Sequence, residues 1–349
     1  MTSNEETHRA EHSRSPGQQT GEPRYCVVIP TIGRPCLQDC LRALAKAALL
    51  RPHEVLVVDD RPTPDGPLAI HGAGRLAGRL RVLASHGRGP AAARNVGLRE
   101  VTTEWVVFLD DDVRVLPDWG AGLRHDLRGA APRTAGVQGR LRVPRAAGRR
   151  PTDWERCTAG LEKAAWATAD MAYRTEAVGP AGGFDERFPR AFREDADLAL
   201  RLQDAGWILT RGSRSTLHPV RPADRWVSVR SQRGNADDAL MRHIHGRDWW
   251  SRAEAPRGRL PRHLAVTGAG AGAVVLALAG RRRAAAVAAG LWAIGTAEFS
   301  WARIAPGPRT ASEVTTMIGT SILIPPLAVR HWTAGLLRHR GAAPWGGRS

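Results

Sequence analysis

The run Trp105-Val-Val-Phe-Leu-Asp-Asp-Asp-Val113 constrains this chain more than any other segment. Its short apolar stretch, rich in β-branched and aromatic residues, reads as a buried strand. In open α/β sheets, ligands bind outside the carboxyl ends of the strands. Asp110, Asp111 and Asp112 follow the strand at that end. Clustered hard oxygen ligands there suit Mg²⁺ or Mn²⁺ beside a phosphorylated substrate, although a solvated acidic turn would explain the triplet taken alone.

The preceding segments favour the ligand site. Tyr25 to Pro30 forms a first apolar strand closing on Pro30-Thr-Ile-Gly-Arg-Pro35, after which Leu37, Leu41, Leu44 and Ala48 recur at helical spacing. Glu54-Val-Leu-Val-Val-Asp-Asp60 is a second strand ending in carboxylates, and Leu80 to Ala84 a third. Gly87-Arg-Gly-Pro-Ala-Ala-Ala-Arg-Asn-Val-Gly-Leu98 then reads as a loop entering a helix, whose free N–H groups can meet an anion. Alternating strands and helices predict an α/β fold with a mostly parallel sheet, covered by helices and carrying its functional loops on one edge.

These residues carry a resemblance. Val-Ile-Pro-Thr-x-x-Arg34, Val-Val-Asp-Asp60, Gly-x-x-x-Ala-Arg-Asn-x-Gly97 and Phe-Leu-Asp-Asp-Asp112 resemble family 2 glycosyltransferases, which have the nucleotide-binding GT-A fold. Ala169-Asp-Met-Ala-Tyr-Arg174, Gly182-Gly-Phe-Asp-Glu-Arg-Phe188 and Arg193-Glu-Asp-Ala-Asp-Leu-Ala-Leu-Arg-Leu202 resemble the acceptor half of the same family. The resemblance spans about residues 24–220.

It implies roles position by position. Pro30, Thr31 and Arg34 would line the nucleotide pocket, Asp59 or Asp60 would bond the base, and Arg94 would face the diphosphate. Asp110 and Asp112 match the D-x-D pattern that holds ribose and metal, with Asp111 between them; His218 matches a downstream histidine that completes the metal site in some members. A divalent cation, Mg²⁺ or Mn²⁺, would stabilise the charge that gathers on a departing nucleoside diphosphate. Inverting transfer also needs a carboxylate on the acceptor side to take the hydroxyl proton. Asp195 resembles that base, with Glu194 as a catalytic neighbour contacting acceptor hydroxyls and Asp170 as a further acceptor contact. Acidic residues in a first helical turn also complement the helix dipole, which alone would account for the pair.

The chain departs from the family in two places. Arg61-Pro-Thr63 replaces the usual Gly-Ser after the second Asp pair, and the Gln-x-x-Arg-Trp motif of processive synthases is absent, so transfer of single sugars is expected. Two other classes remain open. Nucleotidyltransferases share a similar α/β sheet and metal carboxylates, but usually carry a Gly-rich phosphate loop that Pro30 to Pro35 does not match. A nucleic-acid-binding protein would account for the net charge of +17. Against that, no nucleic-acid-binding motif accompanies the charge, and no nucleic-acid partner is expected.

The charge is also uneven. From Pro256 onward there are 12 Arg against Glu298 and Glu313, a net +10, leaving +7 for the first 255 residues. That region interleaves arginine with apolar runs, Leu264 to Gly280, Ala284 to Ala297 and Met317 to Val329, which suits an anionic membrane surface. A spanning hairpin of the first two runs would place Arg281-Arg-Arg283 outside, against the positive-inside rule. Pro325-Pro326 interrupts the third run. Bent or interfacial helices are therefore expected, on the inner face of the cell membrane and near a lipid-linked or cell-envelope glycan acceptor. Residues 1–23 lack an apolar run and are expected to be a disordered tail and no signal peptide. The expected organisation is a GT-A domain over 24–250 and a basic, apolar helical region over 251–349. The four cysteines, in neither zinc nor disulfide spacing, are expected to be reduced.

Overall fold

The computed structural model describes residues 21–343, so most of the expected N-terminal tail lies outside the described residues. The chain opens with β1 (Tyr25–Thr31), α1 (Cys36–Lys46), β2 (Val55–Asp59), β3 (Leu80–Ala84), α2 (Pro90–Arg99) and β4 (Trp105–Leu109). Each lies where the apolar runs and helical spacing predicted it. There follow β5 (Arg114–Val115), α3 (Trp119–Arg128), β6 (Thr134–Arg142), α4 (Asp153–Ala159), β7 (Asp170–Arg174), α5 (Thr175–Val178), α6 (Glu194–Asp204) and β8 (Ile208–Leu217).

One sheet holds these strands in the order β3-β2-β1-β4-β7-β6-β8-β5. Only β7 and β5 run against the others, so the sheet is mostly parallel. Its strands β1, β2, β4 and β7 are buried on both faces. Val27, Ile29, Val57, Val107 and Leu109 pack with Leu41 and Leu44 of α1 and Leu123 of α3 on one side. Val28, Val58, Val106 and Phe108 pack with Ala91 and Ala93 of α2 and Leu198 and Leu202 of α6 on the other. Alternate side chains of an extended strand point to opposite faces, which is why near-continuous apolar runs fit between two helical layers. Gly97 lets α2 approach closely, because a Cβ there would collide with Val28. All four cysteines are free.

The chain continues through α7 (Val227–Arg230), α8 (Asn235–His245), α9 (Trp249–Arg252), α10 (Leu260–Leu278), α11 (Arg282–Ile304) and α12 (Ala311–Arg338). Helices α10 and α11 form an antiparallel hairpin, with Gly270 against Trp292 and Gly295 against Val266. Helix α12 returns to the sheet-bearing part of the chain, where Gly335 meets Ala236 and Ala239 of α8. The apolar run interrupted by Pro325-Pro326 lies within one 28-residue helix, α12, with both prolines inside it. Packing holds it there: Ser321, Ile324, Pro325 and Ala328 are buried. Tertiary contacts of this kind override a local penalty of about 3 kcal/mol for an interior proline.

Candidate active site

The carboxyl ends of β1 and β4 and the start of α2 border an open cleft. Pro30, Thr31, Arg34, Asp60, Arg94, Asp110, Asp111 and Asp112 all line it. The acidic turn after β4 is divided among partners. Asp111 is buried and accepts from Thr31 Oγ1 at 2.6 Å and Arg34 Nη1 at 3.0 Å, which ties the β1 exit to the β4 exit. Burial pushes its pKa above the usual carboxylate range, opposed by those two donors. Asp110 accepts from Arg94 Nη2 at 2.9 Å.

Asp110, Asp112 and His218, just past β8, converge so that one ligand atom from each lies within 4.8 Å of the others. Two carboxylates and an imidazole, without a thiolate, form a donor set that fits Mg²⁺ or Mn²⁺. The histidine arrives because β8 pairs with β5, immediately after the acidic turn, with Arg114 opposite Leu217. Arg221, three residues further on, places Nε 2.8 Å from Asp112 Oδ2 and also lines the cleft. It was not among the predicted site residues, and only its position near His218 could have signalled it.

Arg94 joins the two halves of the site. It is 1% exposed, and besides Asp110 it donates from Nη1 to Glu194 Oε1 at 2.6 Å. A buried guanidinium needs such partners, since an unpaired buried charge is strongly unfavourable. Glu194 is also buried, and burial raises its pKa to about 8, with Arg94 pulling it down and Asp195 pushing it up. Asp195, half-buried beside it, accepts from the Ala196 amide at 2.7 Å; burial raises its pKa as well. Glu194 and Asp195 open α6 after Arg193, which has φ +79°, an uncommon conformation for a residue with a Cβ. An ion pair with Asp238 at 2.7 Å, and stacking on Phe192 and Trp249 at 4.3 and 4.8 Å, hold it there. Nothing in the local sequence announces that turn.

Two predicted contacts are placed differently. Asp170 is fully buried, and its carboxylate is consumed by Trp119 Nε1 at 2.7 Å, Arg214 Nε at 2.8 Å and Thr216 Oγ1 at 2.5 Å. It neutralises the buried Arg214 together with Asp126, and it does not line the cleft, so the expectation of an acceptor contact is corrected. Asp59 is gripped by Arg61 through Nε at 2.9 Å and Nη2 at 2.7 Å, which lowers its pKa. Thus the arginine that departs from the family pattern occupies the carboxylate expected at the base. Asp60 reaches the cleft while also accepting from Ser85 Oγ at 2.7 Å and the Gly89 amide at 2.9 Å. Gly89 adopts φ +95°, which glycine alone reaches without strain, and so positions the start of α2.

Residues 26–125 match the profile of glycosyl transferase family 2. Over 135 residues the chain is 33% identical to the pre-mycofactocin glycosyltransferases of two Mycobacterium tuberculosis strains, covering 35% of this chain and 28% of theirs. The match therefore spans less than a third of those relatives. Among solved structures, the mannosyltransferase PcManGT from Pyrobaculum calidifontis, in complex with GDP-Man and Mn²⁺, aligns with a TM-score of 0.49 and 17% identity, covering 91% of this chain and 88% of that one. GalNAc-T7 with UDP, GalNAc and Mn²⁺ aligns with a TM-score of 0.48 and 17% identity, covering 66% and 50%.

Proposed function

With residues 26–125 belonging to glycosyl transferase family 2, we propose that this chain is a metal-dependent, inverting, non-processive glycosyltransferase. It moves one sugar from a nucleotide-sugar donor to an acceptor hydroxyl. The observation that carries this reading is the convergence of Asp110, Asp112 and His218 at a cleft that Arg94 links to Glu194, the neighbour of Asp195. Asp110, Asp112 and His218 would hold Mg²⁺ or Mn²⁺, which when bound supplies positive charge to the leaving diphosphate. Arg221 and Arg34 add fixed positive charge to the same cleft. Asp195 takes the proton from the acceptor oxygen as that oxygen attacks the anomeric carbon. Glu194 anchors Arg94 and so keeps the donor carboxylates and the base in register.

Residues 24–250 form the catalytic unit in this reading, and 251–349 its membrane-associated appendage. Helix α10 has 19 residues and a mean hydropathy of 1.2 in its apolar window, of which 6% is buried. At 1.5 Å per residue it is about 28 Å long, close to the hydrocarbon thickness of a bilayer, about 30 Å. Val274, Val275, Leu278, Val287, Leu291 and Ile294 face outward, and Arg281 to Arg283 cap the hairpin tip. Apolar burial and attraction of arginine to anionic headgroups then act together on the inner face of the membrane, near a lipid-linked or cell-envelope acceptor.

A donor screen tests the chemistry. Purified full-length protein incubated with nucleotide sugars and Mg²⁺ or Mn²⁺ is expected to release a nucleoside diphosphate, and NMR of the product to show inversion. Release of pyrophosphate from NTPs would instead indicate nucleotidyl transfer. Activity that survives EDTA and Asp112→Asn undiminished would overturn the metal assignment.

A further inference from the structure

A second, open cavity lies between α12 and the segment entering α7 and is lined by Arg225, Trp226, Thr315, Thr316, Gly319 and Thr320. The catalytic reading uses none of these residues. Arg225 stacks its guanidinium 5.3 Å from the Trp226 ring centre and forms no ion pair among the described residues; its neighbour Asp224 is paired with Arg230 at 3.0 Å. Thr315 donates to the Ala311 carbonyl and Thr320 to the Thr316 carbonyl, whereas the Thr316 hydroxyl has no internal acceptor among the described residues. A cation and a free hydroxyl thus meet in one concavity. A Cβ on Gly319 would meet nothing within 4 Å, so a larger side chain there has room to enter the cavity.

The wall is also amphiphilic along its length. Residues three and four apart share a helix face, so Thr315, Thr316, Gly319, Ile322 and Leu323 form one strip along α12. Its first half is polar; Ile322 and Leu323 beyond it are both 41% exposed. The cavity is one loop away from the transfer cleft: Arg225 follows Arg221 by four residues, and Trp154 Nε1 donates to the Arg221 carbonyl at 2.8 Å. We propose that this cavity binds the anionic headgroup of an amphiphile, a phosphate ester on an apolar chain. Arg225 and Thr316 hold the anion, and the chain runs along Ile322 and Leu323. Resting on the glycosyl-transfer reading, the inference assigns the lipid that carries the acceptor hydroxyl to this chemical class.

Calorimetric titration of the full-length protein in neutral detergent with dodecyl phosphate tests it. The expected result is saturable binding at one site, weakened at least about tenfold by Arg225→Ala and by Gly319→Leu, the latter filling the cavity without touching charge. Neither variant should shift the Kd of a nucleoside diphosphate with Mn²⁺ by more than about twofold. Inorganic phosphate should bind at least about tenfold more weakly than dodecyl phosphate; equal binding would mean a free-anion site and overturn the amphiphile. A dodecyl phosphate Kd unchanged in both variants would overturn the site itself. Failure of wild-type protein to bind nucleoside diphosphate would instead overturn the catalytic reading, with the cavity still decided by the dodecyl phosphate titrations.

Discussion

In the sheet, Val27, Ile29 and Leu109 are buried on one face and Val28, Val58 and Phe108 on the other, whereas along α10 and α11 Val274, Leu278, Val287 and Leu291 face outward. Charge is arranged in the opposite sense. Arg94, Glu194, Asp111 and Arg214 are buried among named partners in the catalytic part, while Arg281, Arg282 and Arg283 are exposed at the hairpin tip. A buried charge costs several kcal/mol unless it is paired, so each one in the sheet implies a fixed geometry. An exposed apolar strip gains nothing from water, which is what the proposed membrane contact of the hairpin rests on. In the proposed reading the two regions carry different kinds of functional information: the first the chemistry, the second the place where it happens.

The largest expected effect lies in the catalytic part. Asp195→Asn should reduce transfer by about 10²–10⁴ while nucleoside diphosphate binding is retained, as loss of a general base on the acceptor side requires. A steady-state rate within about threefold of wild type would remove Asp195 from the mechanism. Next, Arg94→Met leaves the buried Glu194 and the half-buried Asp110 without their shared partner and should lower folding stability by about 3–5 kcal/mol, read by denaturant melts. A small change there would mean that the link between Asp110 and Glu194 is dispensable.

The sharpest test of the contrast itself is a matched pair of truncations. Leu198→Ala, fully buried, should cost about 2–5 kcal/mol of stability. Leu278→Ala, at 85% exposure, should change stability by less than about 0.5 kcal/mol while weakening sedimentation with anionic vesicles. Equal stability losses would show that the hairpin is packed in water much as the sheet is.

A smaller effect concerns pH. The Asp195 pKa is raised by burial, and Asp195 must be ionised to accept a proton, so transfer should rise with pH along a limb above the ordinary aspartate range. For Glu194 the folded chain holds its proton up to about 8, against 4.5 in the unfolded chain. Its contribution to stability is therefore full below the unfolded pKa and lost as pH rises through about 8. Glu194→Gln should flatten that slope in pH-dependent melts; an unaltered slope would assign it to another group.

Much of the site was legible because strand ends announce themselves. An apolar run followed by aspartates fixes both the element and the edge it feeds, and β2 and β4 with their acidic exits, like β1 with its Pro-Thr exit, appear where the pattern put them. Asp170 was expected at the acceptor only through the family resemblance: it is the first residue of β7, which runs antiparallel to β4, and its carboxylate turns into the core against Arg214. Local pattern reports period and polarity; it does not report strand direction.

The sequence by itself determined the alternation of strands and helices, the acidic cluster after β4 and the separation of a basic, apolar C-terminal region, because these depend on spacing along the chain. The tertiary structure decided that His218 and Arg221 meet Asp112, that Arg94 bridges Asp110 and Glu194, and that Arg61 closes on Asp59. It also decided that α12 passes unbroken through two prolines to seat against α8. Apart from Arg61 on Asp59, these joins bring together elements distant in sequence, and they are fixed by the order in which strands enter the sheet and by the need of every buried charge for a partner.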